Sequence, residues 1–95
     1  MNTSVVNRSR SEYDVYIGRP SDWGNPFEIG KDGTRAEVIA KYKAYILAKP
    51  ELLARLPELK GKRLGCWCYP KHCHGDVLVE LIDKLHGAGR LINIE

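Results

Sequence analysis

Short runs of β-branched and aromatic residues alternate with longer apolar patterns along this chain. The runs at residues 3–6 and 14–18 are bounded by polar residues and predict two strands. Residues 63–68 predict a third strand, and residues 91–94 predict a last one. The longer patterns fall between the second strand and the last, so we expect helices there.

Three helices are predicted from apolar positions that recur on one face. The first begins at Thr34, where Glu37 three residues later completes a capping box, and it ends near residue 48. The second covers residues 51–56 between two prolines. The third begins at Gly75 or Asp76 and ends at a pair of glycines.

Strands separated by helices favour a sheet with mostly parallel neighbours, joined by right-handed crossovers. The expected fold is a small α/β domain of two or three layers, with a short, mostly parallel sheet of three or four strands and about three helices. The place of the first strand stays open, because residues 3–6 can also form an antiparallel edge with residues 14–18. The 95 residues correspond to a single domain, residues 1–95.

Composition and charge exclude several classes of protein. The chain is 43% hydrophobic and 28% charged with a net charge of +3, which is typical of a globular protein and not of a disordered one. No apolar run approaches the roughly 18–20 residues that span a bilayer, and the first residues lack a signal-peptide core. We therefore expect a soluble, cytoplasmic protein with no membrane partner. Residues 36–63 carry seven Lys+Arg and three Asp+Glu, which supports a nucleic-acid partner only weakly.

Two irregular segments each follow a predicted strand. Residues 19–27 contain two prolines and a glycine, and residues 66–76 lead from the third strand into the third helix. Ligands of open parallel sheets bind outside the carboxyl ends of the strands. We therefore expect the two segments to line one cleft.

The side chains of these segments suit a phosphorylated ligand that carries a base. Arg19 has a planar donor fork for phosphate, and Asn25 has a donor and an acceptor for a base edge. The amides at the start of the third helix form an anion site. The predicted ligand-binding residues are Arg19, Trp23, Gly24, Asn25, Phe27, Tyr69, His72 and Gly75. Turn formation and sealing of the core are alternative roles for the loop residues.

The three cysteines lie within residues 66–73. An odd number in so short a window argues against a secreted disulfide framework. Cys73 lies at a helix start, where the helix dipole lowers the pKa of a thiol, and is a candidate nucleophile with His74 and Asp76 as catalytic partners. Whether the protein is an enzyme stays open.

A zinc site is the alternative use of this segment. Thiolates and an imidazole are soft ligands for tetrahedral zinc, and His72 can substitute for His74. The spacing is a weak match, since zinc knuckles use Cys-x2-Cys pairs. The candidate ligands are Cys66, Cys68, Cys73 and His74. A third interpretation makes Cys66 and Cys68 small buried residues of a strand, with Trp67 pointing to the opposite face.

Two longer motifs cover these segments: YIGRPSDWGNPF at residues 16–27, and LGCWCYPKHCHGD at residues 64–76, with Gly33-Thr34-Arg35 between them. They resemble a family of small phage and bacterial proteins known as domain of unknown function 4326, and the resemblance extends over residues 5–85. It implies a site and not an activity. The matching positions are Arg19, Trp23, Gly24, Asn25, Pro26, Phe27, Cys66, Cys68, Pro70, Cys73, His74, Gly75 and Asp76.

These observations predict a small α/β module that binds a nucleotide or related phosphorylated metabolite between residues 19–27 and 66–76, without a cofactor. In a phage setting, which the resemblance implies, it would process the ligand in nucleotide metabolism or sequester it as a signal of host defence. The alternative is a zinc-stabilised module that binds nucleic acid or protein. The sequence leaves the ligand and the oligomeric state open.

Overall fold

The computed structural model describes residues 3–68 and 71–86. The predicted strand at residues 91–94 lies outside these residues, and so does Tyr69. Within the described part, the elements in chain order are β1 (Ser4–Asn7), β2 (Val15–Tyr16), α1 (Arg35–Leu47), α2 (Pro50–Leu53), a 3-10 helix (Leu56–Leu59), β3 (Arg63–Cys66) and α3 (His74–His86).

β3 is the central strand of a parallel sheet with the order β1-β3-β2. Leu64 pairs with Val5 on one side and with Val15 on the other. The prediction of a short, mostly parallel α/β sheet is confirmed. The alternative of an antiparallel edge between the first two strands is wrong, because both strands pair with β3 and not with each other.

The connection between β1 and β2 passes over β3. Residues 8–14 carry the chain back across β3, where the Tyr13 ring covers Gly65. A Cβ atom at Gly65 would lie 2.7 Å from Cγ of Tyr13, so a larger residue there would block the crossover. β3 is buried except for Arg63. Because a strand lies on each side of it, its residues after Arg63 are apolar or small.

The helices follow the predicted patterns with shifted ends. Thr34 caps α1, and both hydrogen bonds of the predicted capping box with Glu37 are present. α2 ends at Leu53, and Pro57 lies in the first turn of the 3-10 helix, where its missing N–H costs nothing. α3 begins at His74, one residue earlier than expected.

The core lies where α3 contacts α1, the 3-10 helix and β1. The apolar stripe predicted for α3 is buried there from Val77 to Ile82, whereas Leu85, its last predicted member, is exposed. The fully buried side chains include Ile17, Tyr42, Ile46, Leu56, Leu59, Leu64, Leu78 and Ile82. Among the described helices, none is both long enough and apolar enough to cross a membrane.

Candidate functional site

A cavity of about 310 Å³ opens at the carboxyl edge of the sheet. Its walls come from the loop after β2, the first turns of α1, and the segment that joins β3 to α3. The two irregular segments therefore line one cavity, as the topology predicts. Its polar and aromatic side chains include those of Arg19, Asn25, Arg35, Trp67, His72 and His74.

Two arginines border this cavity from different elements. Arg19 follows β2, and its Nη1 lies 3.4 Å from Oε2 of Glu28. This ion pair is largely exposed and contributes little stability, so an anionic ligand can replace the carboxylate. Arg35 is the first residue of α1, and its Nη1 donates to the main-chain oxygen of His72 over 3.1 Å. Arg35 belongs to the residues that carry the family resemblance, but it was not predicted to be a site residue, although the capping box at Thr34 fixes its place at the helix start.

An exposed tryptophan borders the cavity from the end of β3. Trp67 is 58% exposed, and the Arg8 guanidinium lies 4.6 Å from the centre of its ring. The same guanidinium lies 4.8 Å from the ring centre of Tyr16, another cavity residue. Arg8, Tyr16 and Trp67 come from the carboxyl ends of the three strands. Sequence reasoning missed this group because strand alternation relates Trp67 only to its neighbours in β3.

Three residues of the first loop lie outside the cavity. Trp23 is 3% exposed and belongs to the core, where its main-chain oxygen accepts a hydrogen bond from the Tyr42 hydroxyl. Phe27 packs edge-to-face against a tyrosine of α1. Gly24 leaves room for Arg19, since a Cβ atom there would lie 2.9 Å from Cγ of Arg19. These residues shape the loop around Arg19.

Asn25 borders the cavity, but its amide serves the loop. Its Nδ2 donates to the main-chain oxygen of Val38 over 3.3 Å, and its Oδ1 accepts from the Phe27 N–H over 2.9 Å. Both ends of the amide are therefore engaged. Asn25 attaches the loop to α1, and its contact with a base stays a prediction.

His74 joins α3 to the loop after β2. Its ring is buried, packs edge-on against Tyr42, and makes a hydrogen bond of 2.7 Å from Nε2 to the main-chain oxygen of Ile17. Because a carbonyl oxygen only accepts, Nε2 carries the proton. Burial lowers the pKa of His74 below its ordinary value, and the charge of Arg19 acts in the same direction. The residue is neutral at pH 7 and holds two elements together.

Cys66 and Cys73 face each other between β3 and α3. Their Sγ atoms are 3.3 Å apart, and both side chains are buried. The hydrogen bond with Cys66 and the burial raise the pKa of the Cys73 thiol well above its ordinary value. The expected lowering by the helix dipole is wrong, because the thiol points into the protein. Cys73 stays a thiol at neutral pH, which does not suit a nucleophile.

The residues named for zinc have other partners in this fold. The Cys66 and Cys73 thiols contact each other, and Nε2 of His74 binds the Ile17 carbonyl. Within residues 3–68 and 71–86, no three His, Cys, Asp or Glu side chains are grouped in a way that would hold a metal ion. Zinc binding stays a prediction, which metal analysis of the purified protein would test.

Asp76 supplies negative charge at the start of α3. Its Oδ2 lies 2.6 Å from Nδ1 of His72 and accepts the main-chain N–H of Cys73 over 3.0 Å. The Asp76 N–H in turn donates to the Cys73 main-chain oxygen. The helix start, expected to bind an anion, is thus partly occupied by the protein's own carboxylate. An anion in the cavity depends mainly on Arg19 and Arg35.

Gly75 allows α3 to approach the sheet. A Cβ atom at this position would lie 2.9 Å from Cγ2 of Val5 and 2.9 Å from Cδ1 of Ile17. This contact distance is too short for a side chain. The glycine is therefore explained by packing, and not by the close approach of a ligand.

Many basic residues of the 36–63 region are engaged within the protein. Lys43 pairs with Glu80, Arg55 pairs with Asp22, and Arg63 pairs with Asp14. These ion pairs offset three of the seven positive charges of the region. A nucleic-acid partner stays a prediction.

Comparison with known proteins places the chain among viral relatives. It is 40% identical over 86 residues to an uncharacterised 12.4 kDa protein of the nrdA–td intergenic region of Enterobacteria phage T4, covering 85% of this chain and 78% of the phage protein. It is 41% identical over 86 residues to an uncharacterised protein of Acanthamoeba polyphaga mimivirus, covering 72% of this chain and 65% of the mimivirus protein. No solved structure matches. The family profile described as Domain of unknown function (DUF4326) matches residues 3–84, and the chain therefore belongs to this family.

Proposed function

We propose that this protein binds a nucleotide, or a closely related phosphorylated metabolite, in the cavity at the carboxyl edge of the sheet. The observation that carries the proposal is that Arg19, Arg35 and Trp67, from three different elements, border the same cavity. The two guanidinium groups would bind the phosphate, and the exposed indole would stack on the base.

The two arginines account for phosphate binding. A guanidinium group presents planar pairs of donors that match phosphate oxygens, and it keeps its charge at every physiological pH. Arg19 comes from a loop and Arg35 from the first turn of a helix, so a phosphate between them would join two elements. The partner that Arg19 would exchange for phosphate, Glu28, is itself half exposed and returns to water.

Trp67 accounts for base binding. Stacking of a base on an aromatic side chain contributes roughly 1–3 kcal/mol, and an exposed indole beside a phosphate site offers the face for it. Arg8 lies over the Trp67 ring, 4.6 Å from its centre, so a base would stack on the opposite face of the indole. We assign stacking to Trp67 and not to Trp23, whose side chain is in the core.

The cavity volume fits one small ligand. About 310 Å³ is at the lower end of the roughly 300–1,000 Å³ typical of small-molecule sites. Such a volume suits a mononucleotide better than a longer ligand. In a viral setting, the module would act in nucleotide metabolism or withhold a nucleotide signal of host defence.

Calorimetric titration with nucleoside mono-, di- and triphosphates and with ribose 5-phosphate tests the proposal. Arg19→Ala and Arg35→Ala each weaken nucleotide binding by about tenfold or more, because each loses a charged hydrogen bond to phosphate. Trp67→Ala weakens nucleotide binding and leaves ribose 5-phosphate binding unchanged.

Lys60→Ala is the matched control, since it removes the same charge from an exposed position that precedes β3 and is not part of the cavity wall. It should leave all affinities unchanged. If wild-type protein binds no compound of the panel, or if the arginine variants bind as well as the control, the proposal is wrong. Circular dichroism of each variant shows that the fold is intact.

A further inference from the structure

We infer that His72 is a catalytic base in this cavity and that Asp76 positions it, so that the protein hydrolyses a phosphate ester or anhydride of the nucleotide it binds. This inference rests on the proposed function and adds a reaction to it. It assigns the chemistry to His72, and not to the buried Cys73 and His74.

The contact between His72 and Asp76 orients the imidazole. The carboxylate Oδ2 lies 2.6 Å from Nδ1 and also accepts the Cys73 main-chain N–H. Since a carboxylate only accepts, the neutral imidazole donates from Nδ1 and keeps its lone pair on Nε2. A histidine that a carboxylate holds in this way is the usual arrangement of a general base.

His72 borders the same cavity as the two arginines that we propose bind phosphate. Nη1 of Arg35 donates to the main-chain oxygen of His72 over 3.1 Å. One of the two proposed phosphate-binding arginines is therefore hydrogen-bonded to His72 itself. The His72 side chain is 59% exposed and borders the cavity, which gives water access to it. Cys73 and His74 also border the cavity, but they are only 3% and 9% exposed, and Nε2 of His74 is bound to the Ile17 carbonyl.

The reaction uses water as the nucleophile. A water molecule gives one proton to Nε2 of His72 while its oxygen forms a new bond to phosphorus. The bond from phosphorus to the leaving oxygen breaks, and that oxygen keeps the electron pair and takes a proton from solvent. Arg19 and Arg35 stabilise the charge on the remaining phosphate oxygens. The imidazolium then returns its proton to solvent. The products are inorganic phosphate and the nucleoside when an ester is cleaved, or inorganic phosphate and the shortened nucleotide when a terminal anhydride is cleaved.

A purely structural role for this pair makes a different prediction. An exposed histidine and aspartate four residues apart can simply stabilise a helix start. In that case, replacing His72 would leave turnover unchanged, and only removal of the Asp76 carboxylate would matter. The two roles therefore differ in the effect of His72→Ala.

Phosphate release is measured with the nucleotide that wild-type protein binds most tightly, with magnesium chloride present throughout. His72→Ala should lower kcat by about 100-fold or more, the usual contribution of a general base, with little change in the dissociation constant. Added imidazole should restore part of the lost turnover of this variant. Asp76→Asn should lower kcat with little change in affinity, because the ring loses its orientation. His86→Ala, at the other end of α3, is the matched control and should keep full turnover.

Each outcome decides the inference. If wild-type protein binds the nucleotide and releases no phosphate, the inference is wrong and the proposed binding stands. If His72→Ala releases phosphate as fast as wild type, or loses binding together with turnover, His72 is not a general base. If wild-type protein binds no nucleotide of the panel, the proposed function fails first, and the inference fails with it.

Discussion

His72 and His74 lie two residues apart and have different surroundings. His72 is exposed and bound to Asp76, which is four residues away in the chain. His74 is buried and bound to the main chain of Ile17, which is 57 residues away. The first contact is local, whereas the second exists only because α3 packs beside the loop after β2. His72 is therefore accessible at the cavity, whereas the His74 ring links α3 to the loop after β2.

The burial of His74 predicts a loss of stability in mild acid. Because burial lowers the pKa of His74, the unfolded chain takes up a proton at this residue at a higher pH than the folded protein does. The stabilisation that the neutral His74 contributes is therefore fully present above pH 6.5, the ordinary pKa of histidine. The free energy of unfolding decreases as the pH falls from 6.5 towards the pKa of His74 in the folded protein. Urea unfolding between about pH 7.5 and about pH 5.5 measures this decrease.

His74→Gln separates this effect from other titrations. Glutamine can still donate to the Ile17 carbonyl but does not titrate, so the variant should have a smaller pH dependence than wild type. His86→Gln is the matched control and should keep the wild-type pH dependence. Asp14, Glu37 and Glu80, whose pKa values are lowered, contribute at more acidic pH. An equal pH dependence in His74→Gln and wild type would contradict a buried, neutral His74.

Residue types near the site could be predicted from the sequence, but the partners of these residues could not. Arg19 borders the cavity as expected because its position after a strand is a local property. Asn25 and Gly75 were assigned to a ligand, yet the first binds the main chain of α1 and the second faces Val5 and Ile17. Their partners are distant in the chain, and no local pattern indicates them.

At the scale of elements, the start of α1 links the fold to the site. The capping box at Thr34 fixes where the helix begins, and the next residue is Arg35 in the cavity wall. Thr34→Ala should lower the free energy of unfolding by about 1 kcal/mol, the usual cost of losing a capping side chain. It should also weaken nucleotide binding, because the first turn that holds Arg35 frays.

Urea unfolding and calorimetric titration of the same variant test both effects. Thr34→Ser keeps a capping hydroxyl and is the conservative control, so it should have nearly wild-type stability and affinity. If Thr34→Ala loses stability but binds nucleotide as wild type does, the cap does not position Arg35. If stability is also unchanged, the capping box contributes nothing measurable to α1.

Helices were easier to predict than strand ends and strand order. The cap of α1 and the apolar stripe of α3 are local patterns, so the predicted helix starts agree with the structure within one or two residues. The sheet depends on distant contacts. β2 has two residues instead of the predicted five, and β1 pairs with β3 through a connection in which Tyr13 lies over Gly65, a contact that no local pattern indicates.

At the scale of the whole molecule, the cavity joins three segments that are far apart in the sequence. The topology of the sheet predicts that residues 19–27 and 66–76 meet, because both follow strands that end at the same edge. It does not predict the wall formed by α1, or the side chains that point inwards. A ligand that contacts all three segments would hold them together, whereas the α2 region has no share in the cavity.

Hydrogen exchange with and without a saturating nucleotide measures this coupling. A ligand at one hundred times its dissociation constant stabilises the folded state by about 2.7 kcal/mol. Exchange should slow most for amides that open locally in the segments that carry the cavity residues. One is the Gly24 amide, which lies in the loop that carries Arg19 and is bonded to the Ser21 main-chain oxygen. The Ala54 amide, bonded to Pro50 at the end of α2, should change less because it frays independently of the cavity. Arg35→Ala should show neither change at the same nucleotide concentration. Equal slowing at Gly24 and Ala54 would mean that the ligand does not bind between the three segments.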